Sequence, residues 1–125
     1  MSPCRLDLEE SEHWPVARLT GEIDLSNAQA LGDQVEAAVS NRAGGLVLDL
    51  SGITYLDSTG LHLIFRLARR LGDRQQALRL VVPEESRIRR LLRVTGVSTV
   101  AEIVTDVERA VDGQQARRAG DSQGE

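Results

Sequence analysis

The chain has 125 residues, 41% of them hydrophobic, a formal net charge of -4 and one cysteine, Cys4. That is the size of one domain with a single core, and a lone cysteine excludes an internal disulfide and a thiolate metal site, as in a reducing cytosol. The acidic balance argues against a nucleic-acid footprint over the whole surface, three aromatics (Trp14, Tyr55 and Phe65) leave no base-stacking platform, and no apolar stretch approaches a membrane span or a secretory leader. A cytoplasmic protein that engages neither membrane nor nucleic acid is expected.

In chain order, Cys4 to Glu9 alternates as a strand with Leu6 and Leu8 on one face, and Glu10 to His13 forms a polar connection. Trp14 to Leu19 reads as a second strand. From Ser26 onward Ala28, Leu31, Val35, Ala38 and Val39 make a helical stripe, Ser26 and Gln29 have capping-box spacing, and Gly44-Gly45 closes the helix. Gly45 to Leu50 is a short apolar run bounded by Gly44 and by Ser51-Gly52, the composition of a central strand buried on both faces. Leu61, Ile64, Phe65, Ala68 and Leu71 then recur at helical spacing, with His62, Arg66, Arg69 and Arg70 on the other face. A strand follows at Ala77 to Val82, and Pro83 opens a turn into a helix that carries Ile88, Leu91 and Leu92 inward and ends near Gly96. A fifth strand around Val100 to Val104 precedes a last helix, with Thr105 and Glu108 as a capping-box pair and Val107, Ala110 and Val111 facing the core. Strands alternating with helices predict an α/β fold, one domain over residues 1–111 with a mixed central sheet of about five strands and about four helices. Residues 112–125 hold too few apolar groups to offset ordering entropy and are expected to be a disordered tail.

The segment Leu56-Asp57-Ser58-Thr59-Gly60-Leu61 decides the functional reading. Asp57, Ser58 and Thr59 supply capping oxygens for the unpaired amides of a first helical turn, and Gly60 lets the backbone enter without crowding. The helix therefore begins at about Ser58, whose hydroxyl is exposed and placed to accept a phosphate. Asp49-Leu-Ser-Gly followed by this segment resembles the signature of STAS domains, specifically the bacterial anti-sigma factor antagonists, in which the Ser of an Asp-Ser-[Ser/Thr]-Gly motif is phosphorylated. Upstream, Leu19-Thr-Gly-Glu-Ile-Asp-Leu-Ser-Asn-Ala-Gln-Ala-Leu31 is similar to the family's Gly-Glu-[Leu/Ile]-Asp segment, at the family's usual distance.

The resemblance implies an anti-sigma factor antagonist. Unphosphorylated, it would bind an anti-sigma factor that is also a serine kinase and free a sigma factor; phosphorylation of Ser58 would end the complex, and a phosphatase would reset it. Thr59 is the alternative acceptor, with Ser51 a further rival. Asp24, Asp57, Ser58, Thr59 and Gly60 are the implied partner-binding residues, although Asp24 and Asp57 could equally serve as loop caps. No cofactor and no metal is implied, and the oligomeric state stays open. A phosphate at a helix N-terminus would meet free amides and a favourable macrodipole, so the switch should act at the surface and not by unfolding the domain.

Catalysis finds little support. Ser58 and His62 stand four apart, but His62 has no evident orienting carboxylate, Gly-x-Ser-x-Gly is absent, and Asp57-Ser-Thr-Gly60 differs from the Asp-Thr-Gly of aspartic proteases by an inserted residue. Phosphoryl-transfer machinery is missing too, with no Gly-rich loop carrying Lys and no kinase-type magnesium ligands. The domain reads as a substrate of a kinase and not as an enzyme. The alternative is a STAS scaffold, or a soluble partner of a membrane transport system, with no phosphoryl switch. The arginines at 66–74 and 87–93 fit a solvated helix face or a docking surface for an acidic partner.

Overall fold

The computed structural model describes residues 4–111. Five strands form one sheet in sequential order: β1 (Arg5–Glu9), β2 (Val16–Ile23), β3 (Gly45–Leu56), β4 (Ala77–Val81) and β5 (Glu102–Val104). β1 runs antiparallel to β2, and β2 to β5 are parallel neighbours, so the sheet is mixed. Three helices, α1 (Ala28–Ala37), α2 (Ser58–Asp73) and α3 (Arg87–Val94), make the parallel crossovers. Right-handed crossovers that always step in the same direction place all three on one face of the sheet. Residues 107–111 are helical as well.

Alternation along the strands sorts the core into two layers. Leu46, Leu48 and Leu80 join Leu31, Val35, Ile64, Leu67, Leu71 and Leu92 beneath the helices, whereas Val47 and Val81 turn the other way, toward Trp14, Val16 and Ala110. Full burial of a Leu or Ile side chain contributes about 1.5–3 kcal/mol, so the helical layer carries most of the stability. On the opposite face Arg79 is buried, lies 4.4 Å from the centre of the Trp14 ring and pairs with Glu102 at 3.1 Å. It also donates to the Ala110 carbonyl, which ties the last helical stretch to the sheet.

Leu6 and Leu8 share one face of β1, opposite Leu19 and Ala17, with Leu8 exposed and Leu6 partly buried. Several local expectations are corrected. α1 begins at Ala28 behind Asn27 with no side-chain cap, and the Ser26 hydroxyl, one residue before the N-cap position, donates to Asp24. It also ends at Ala37, so Gly45 opens β3 instead of closing a helix. The buried stripe of α2 is Gly60, Leu63, Ile64, Leu67 and Leu71; Leu61, Phe65 and Ala68 sit half-buried on its flank. In the last helical stretch Asp106 caps the Arg109 amide at 2.7 Å, in place of Thr105 with Glu108. β2 extends to Ile23 and β3 to Leu56, six residues past the apolar run, whereas β5 is shorter than expected. The tail at 112–125 lies outside the described residues.

Candidate functional site

The ends of β2 and β3 build the site. Val16 pairs with Val47, but Ile23 pairs with Leu56, because two register shifts, at Arg18/Thr20 and Gly21/Glu22, give β3 two extra residues. Gly21 has φ 111°, a conformation that favours glycine and accompanies one of the shifts. The slippage brings Asp24 and Asp57, the residues that follow each strand, level with one another at the C-terminal ends of β2 and β3.

Each carboxylate then organises the loop behind it. Asp57 is the extended N-cap of α2, and its Oδ1 accepts from the amides of Thr59 at 2.9 Å and Gly60 at 3.2 Å. Its carbonyl accepts from the Leu61 amide at 3.0 Å. A cap of this kind is worth about 1 kcal/mol. Asp24 Oδ1 accepts from the Ser26 amide at 2.9 Å and the Ser26 hydroxyl at 2.6 Å. The hydroxyl, followed by the amide, holds the Asp24 carboxyl below the usual carboxylate range. Asn27 completes the turn, accepting from the Asp24 amide at 3.0 Å and donating to the Glu22 carbonyl at 2.9 Å.

Ser58 is the first residue of α2 and is exposed, whereas Thr59 is half-buried. Gly60 is buried where the helix meets the strand ends: a Cβ there would lie 2.2 Å from Leu56 Cδ1 and 3.3 Å from Ile23 Cγ2. Ser51 is exposed, but its hydroxyl is bonded to Asp49 at 2.6 Å. One expectation changes in kind. The amides expected to welcome a phosphate at the start of α2 are already held by Asp57, so a phosphoryl group on Ser58 would project outward beside a carboxylate.

The structure therefore gathers Asp24, Asp57, Ser58, Thr59 and Gly60 at these strand ends. Two further residues join them that the sequence pattern did not single out: Leu25, 82% exposed, and Tyr55, 48% exposed. The available signal for Leu25 is an apolar residue stranded between Asp24 and Ser26, off the α1 stripe. Cys4, next to β1, lies close enough to feel the Asp24 charge; burial chiefly pushes its thiol pKa up, with Asp24 adding to the rise and a Thr20 backbone hydrogen bond opposing it.

A mixed five-stranded sheet with three helices on one face and an exposed hydroxyl at the start of the central helix defines a small α/β domain. Residues 6–105 match the family model described as "Mlab, STAS domain". The anti-sigma-B factor antagonist of Listeria monocytogenes is 33% identical over 98 residues, covering 78% of this chain and 84% of that protein. The anti-sigma-F factor antagonist RsfB of Mycobacterium tuberculosis is 28% identical over 120 residues, covering 94% and 96%. The anti-sigma factor antagonist SpoIIAA in its unphosphorylated form shares the fold, with a TM-score of 0.73 at 20% identity over 90% of this chain and 97% of that one. Its phosphorylated form, from Bacillus, gives 0.64 at 21% identity, with 86% and 97% covered. The chain belongs to the STAS domain family, among the anti-sigma factor antagonists.

Proposed function

We propose that this chain is an anti-sigma factor antagonist switched by phosphorylation of Ser58. Unphosphorylated, it binds an anti-sigma factor that is also a serine kinase, and a sigma factor is freed for RNA polymerase. The kinase, with ATP and magnesium, phosphorylates Ser58 and dissociates; a phosphoserine phosphatase restores the hydroxyl. These events belong in the cytoplasm. Among the described residues no helix is long and apolar enough to cross a membrane.

The observation that carries the reading is the surroundings of Ser58. Its side chain is exposed at the start of α2, level with Asp24, and the nearby Thr59 and Gly60 amides are occupied by Asp57. Phosphorylation adds roughly -1.5 to -2 charge at neutral pH, and here little of that charge is absorbed by the domain's own backbone. A partner packed against the bare hydroxyl meets both bulk and charge. A loss of roughly 2–5 kcal/mol at such a contact weakens binding by about thirtyfold to several thousandfold. SpoIIAA occupies this fold in both its unphosphorylated and phosphorylated forms, which supports a switch that leaves the fold intact.

Asp24 is assigned to engaging the kinase and Asp57 to presenting Ser58, with Leu25 and Tyr55 as apolar contacts beside them. A scaffold or a soluble partner of a membrane transport system needs no acceptor, and the exposure of Ser58 over the half-buried Thr59 weighs against that alternative. Binding of Ser58→Ala and Ser58→Asp to candidate anti-sigma kinases tests the reading. Ser58→Ala should bind and resist release by ATP, and Ser58→Asp should bind weakly; tight binding by Ser58→Asp contradicts the proposal. Asp24→Ala should impair binding while thermal unfolding falls by no more than the loss of the Ser26 turn contacts entails.

A further inference from the structure

Ser58, His62, Phe65 and Arg69 follow one another along α2 at steps of four, three and four, so they lie on one side of the helix. Beside this line the helix flank opens into a groove of 780 Å³ lined by His62, Phe65, Arg66, Ala68, Arg69 and Val100. α2 has 16 residues and α3 has 8, about 24 Å against about 12 Å. Past the end of α3 a 3-10 turn, Val97–Thr99, leads to Val100, which is 44% exposed.

The chemistry of the groove is uneven. Its floor is apolar, made by Phe65, Ala68 and Val100. Its rim carries Arg69 and His62, whereas the Arg66 guanidinium is turned toward Gly32 of α1, and no carboxylate is among the described residues that line it, although the chain as a whole carries a net charge of -4. The Arg70 guanidinium nearby is paired with Glu36, whereas Arg66 and Arg69 form no ion pair with a described carboxylate. Arginine presents a planar fork that matches a carboxylate in bidentate fashion. An open groove on a helix flank encloses too little of a small molecule, since ligand pockets cover about 70–90% of what they bind. What fits is a helix with one apolar stripe and acidic residues flanking it.

We propose that this groove receives an acidic amphipathic helix of the same anti-sigma kinase that meets Ser58, its apolar side chains on Phe65, Ala68 and Val100 and a carboxylate on Arg69. The inference rests on Ser58 marking the partner-facing end of α2, because the groove continues that line. The second contact gives the antagonist affinity that is independent of the hydroxyl, and it discriminates among kinases by the charge of one helix.

The test uses the full chain and the purified anti-sigma kinase that binds it. Arg69→Glu and Val100→Glu, both at exposed positions, should each weaken the complex at least tenfold while thermal unfolding stays unchanged. The affinity of the unmodified chain should fall more steeply with salt than that of Arg69→Glu, and Arg69→Lys should recover part of the loss. Wild-type affinity for both groove variants alongside weak binding by Ser58→Asp would overturn the groove and leave the Ser58 switch standing. Weak groove variants alongside tight binding by Ser58→Asp would support the groove and remove the switch.

Discussion

Replacing Asp57 separates the two jobs assigned to the start of α2. Asp57 accepts from the Thr59 and Gly60 amides, so Asp57→Ala leaves both donors without their cap and should cost about 1 kcal/mol, within a range of about 0.5–2. With an unfolding entropy of about 2 cal/mol/K per residue, that corresponds to a fall of about 4 °C in Tm for a domain of this size. Asp57→Asn keeps a capping oxygen and should melt within about 2 °C of the parent chain. Phosphorylation provides the sharper contrast. In the parent chain a phosphate on Ser58 finds those amides taken and should leave Tm unchanged or slightly lower. In Asp57→Ala the freed amides become available to the phosphate, and about 0.3–1 kcal/mol should return. Calorimetry of the parent and both variants, with and without phosphate, reads all of this. A phosphorylated parent markedly more stable than the unphosphorylated one would refute the argument that Asp57 pre-empts the anion site.

Other outcomes follow from single contacts. Gly45→Ala would place a Cβ 2.0 Å from the Ala77 carbonyl oxygen and 2.8 Å from Trp14 Cη2, and should cost about 1–3 kcal/mol or more by overpacking. At Gly72 a Cβ would meet nothing within 4 Å, so Gly72→Ala should instead gain about 0.5–1 kcal/mol; equal denaturation midpoints for the two variants would contradict the geometry. Ser26→Ala removes the main cause of the lowered Asp24 carboxyl and should raise its pKa toward the ordinary carboxylate range, as followed by carbon NMR. With a depressed folded pKa, the Asp24 contribution to stability is present above the unfolded value and lost as pH falls through the folded one, so Ser26→Ala should narrow that acid window. The Cys4 thiol, raised mainly by burial, should alkylate more slowly in the native protein than in the unfolded chain at pH 8. Its contribution to stability is complete below the unfolded pKa and lost as pH rises through the folded one. Equal alkylation rates would place Cys4 in open solvent.

Much of the fold was legible because period and punctuation agree. Gly45 to Leu50 and the Asp57 cap locate the central strand and helix directly. The extension of β3 to Leu56 was not legible, because Gly52 and the shifts against β2 break the alternation: after Leu50 the buried residues are Ile53 and Leu56, three apart. Those shifts also set Asp24 level with Asp57, a relation that spacing along the chain does not encode. The α2 stripe was read one flank away from its centre. Leu61, Phe65 and Ala68 pack half-buried against the margin of the core, and periodicity alone does not separate margin from centre. Capping boxes failed at Ser26 and Thr105 because each helix starts a residue later: Asn27 stands at the N-cap of α1, and Asp106 accepts from the Arg109 amide in the last stretch.

The most direct measurement of the central claim is the affinity of one anti-sigma kinase for the unphosphorylated chain and for the same chain phosphorylated on Ser58, with the phosphate located by peptide mass spectrometry. The account predicts phosphate on Ser58 and a Kd at least about thirtyfold weaker once it is present. Phosphate on another residue, or equal affinity for the two forms, would contradict it.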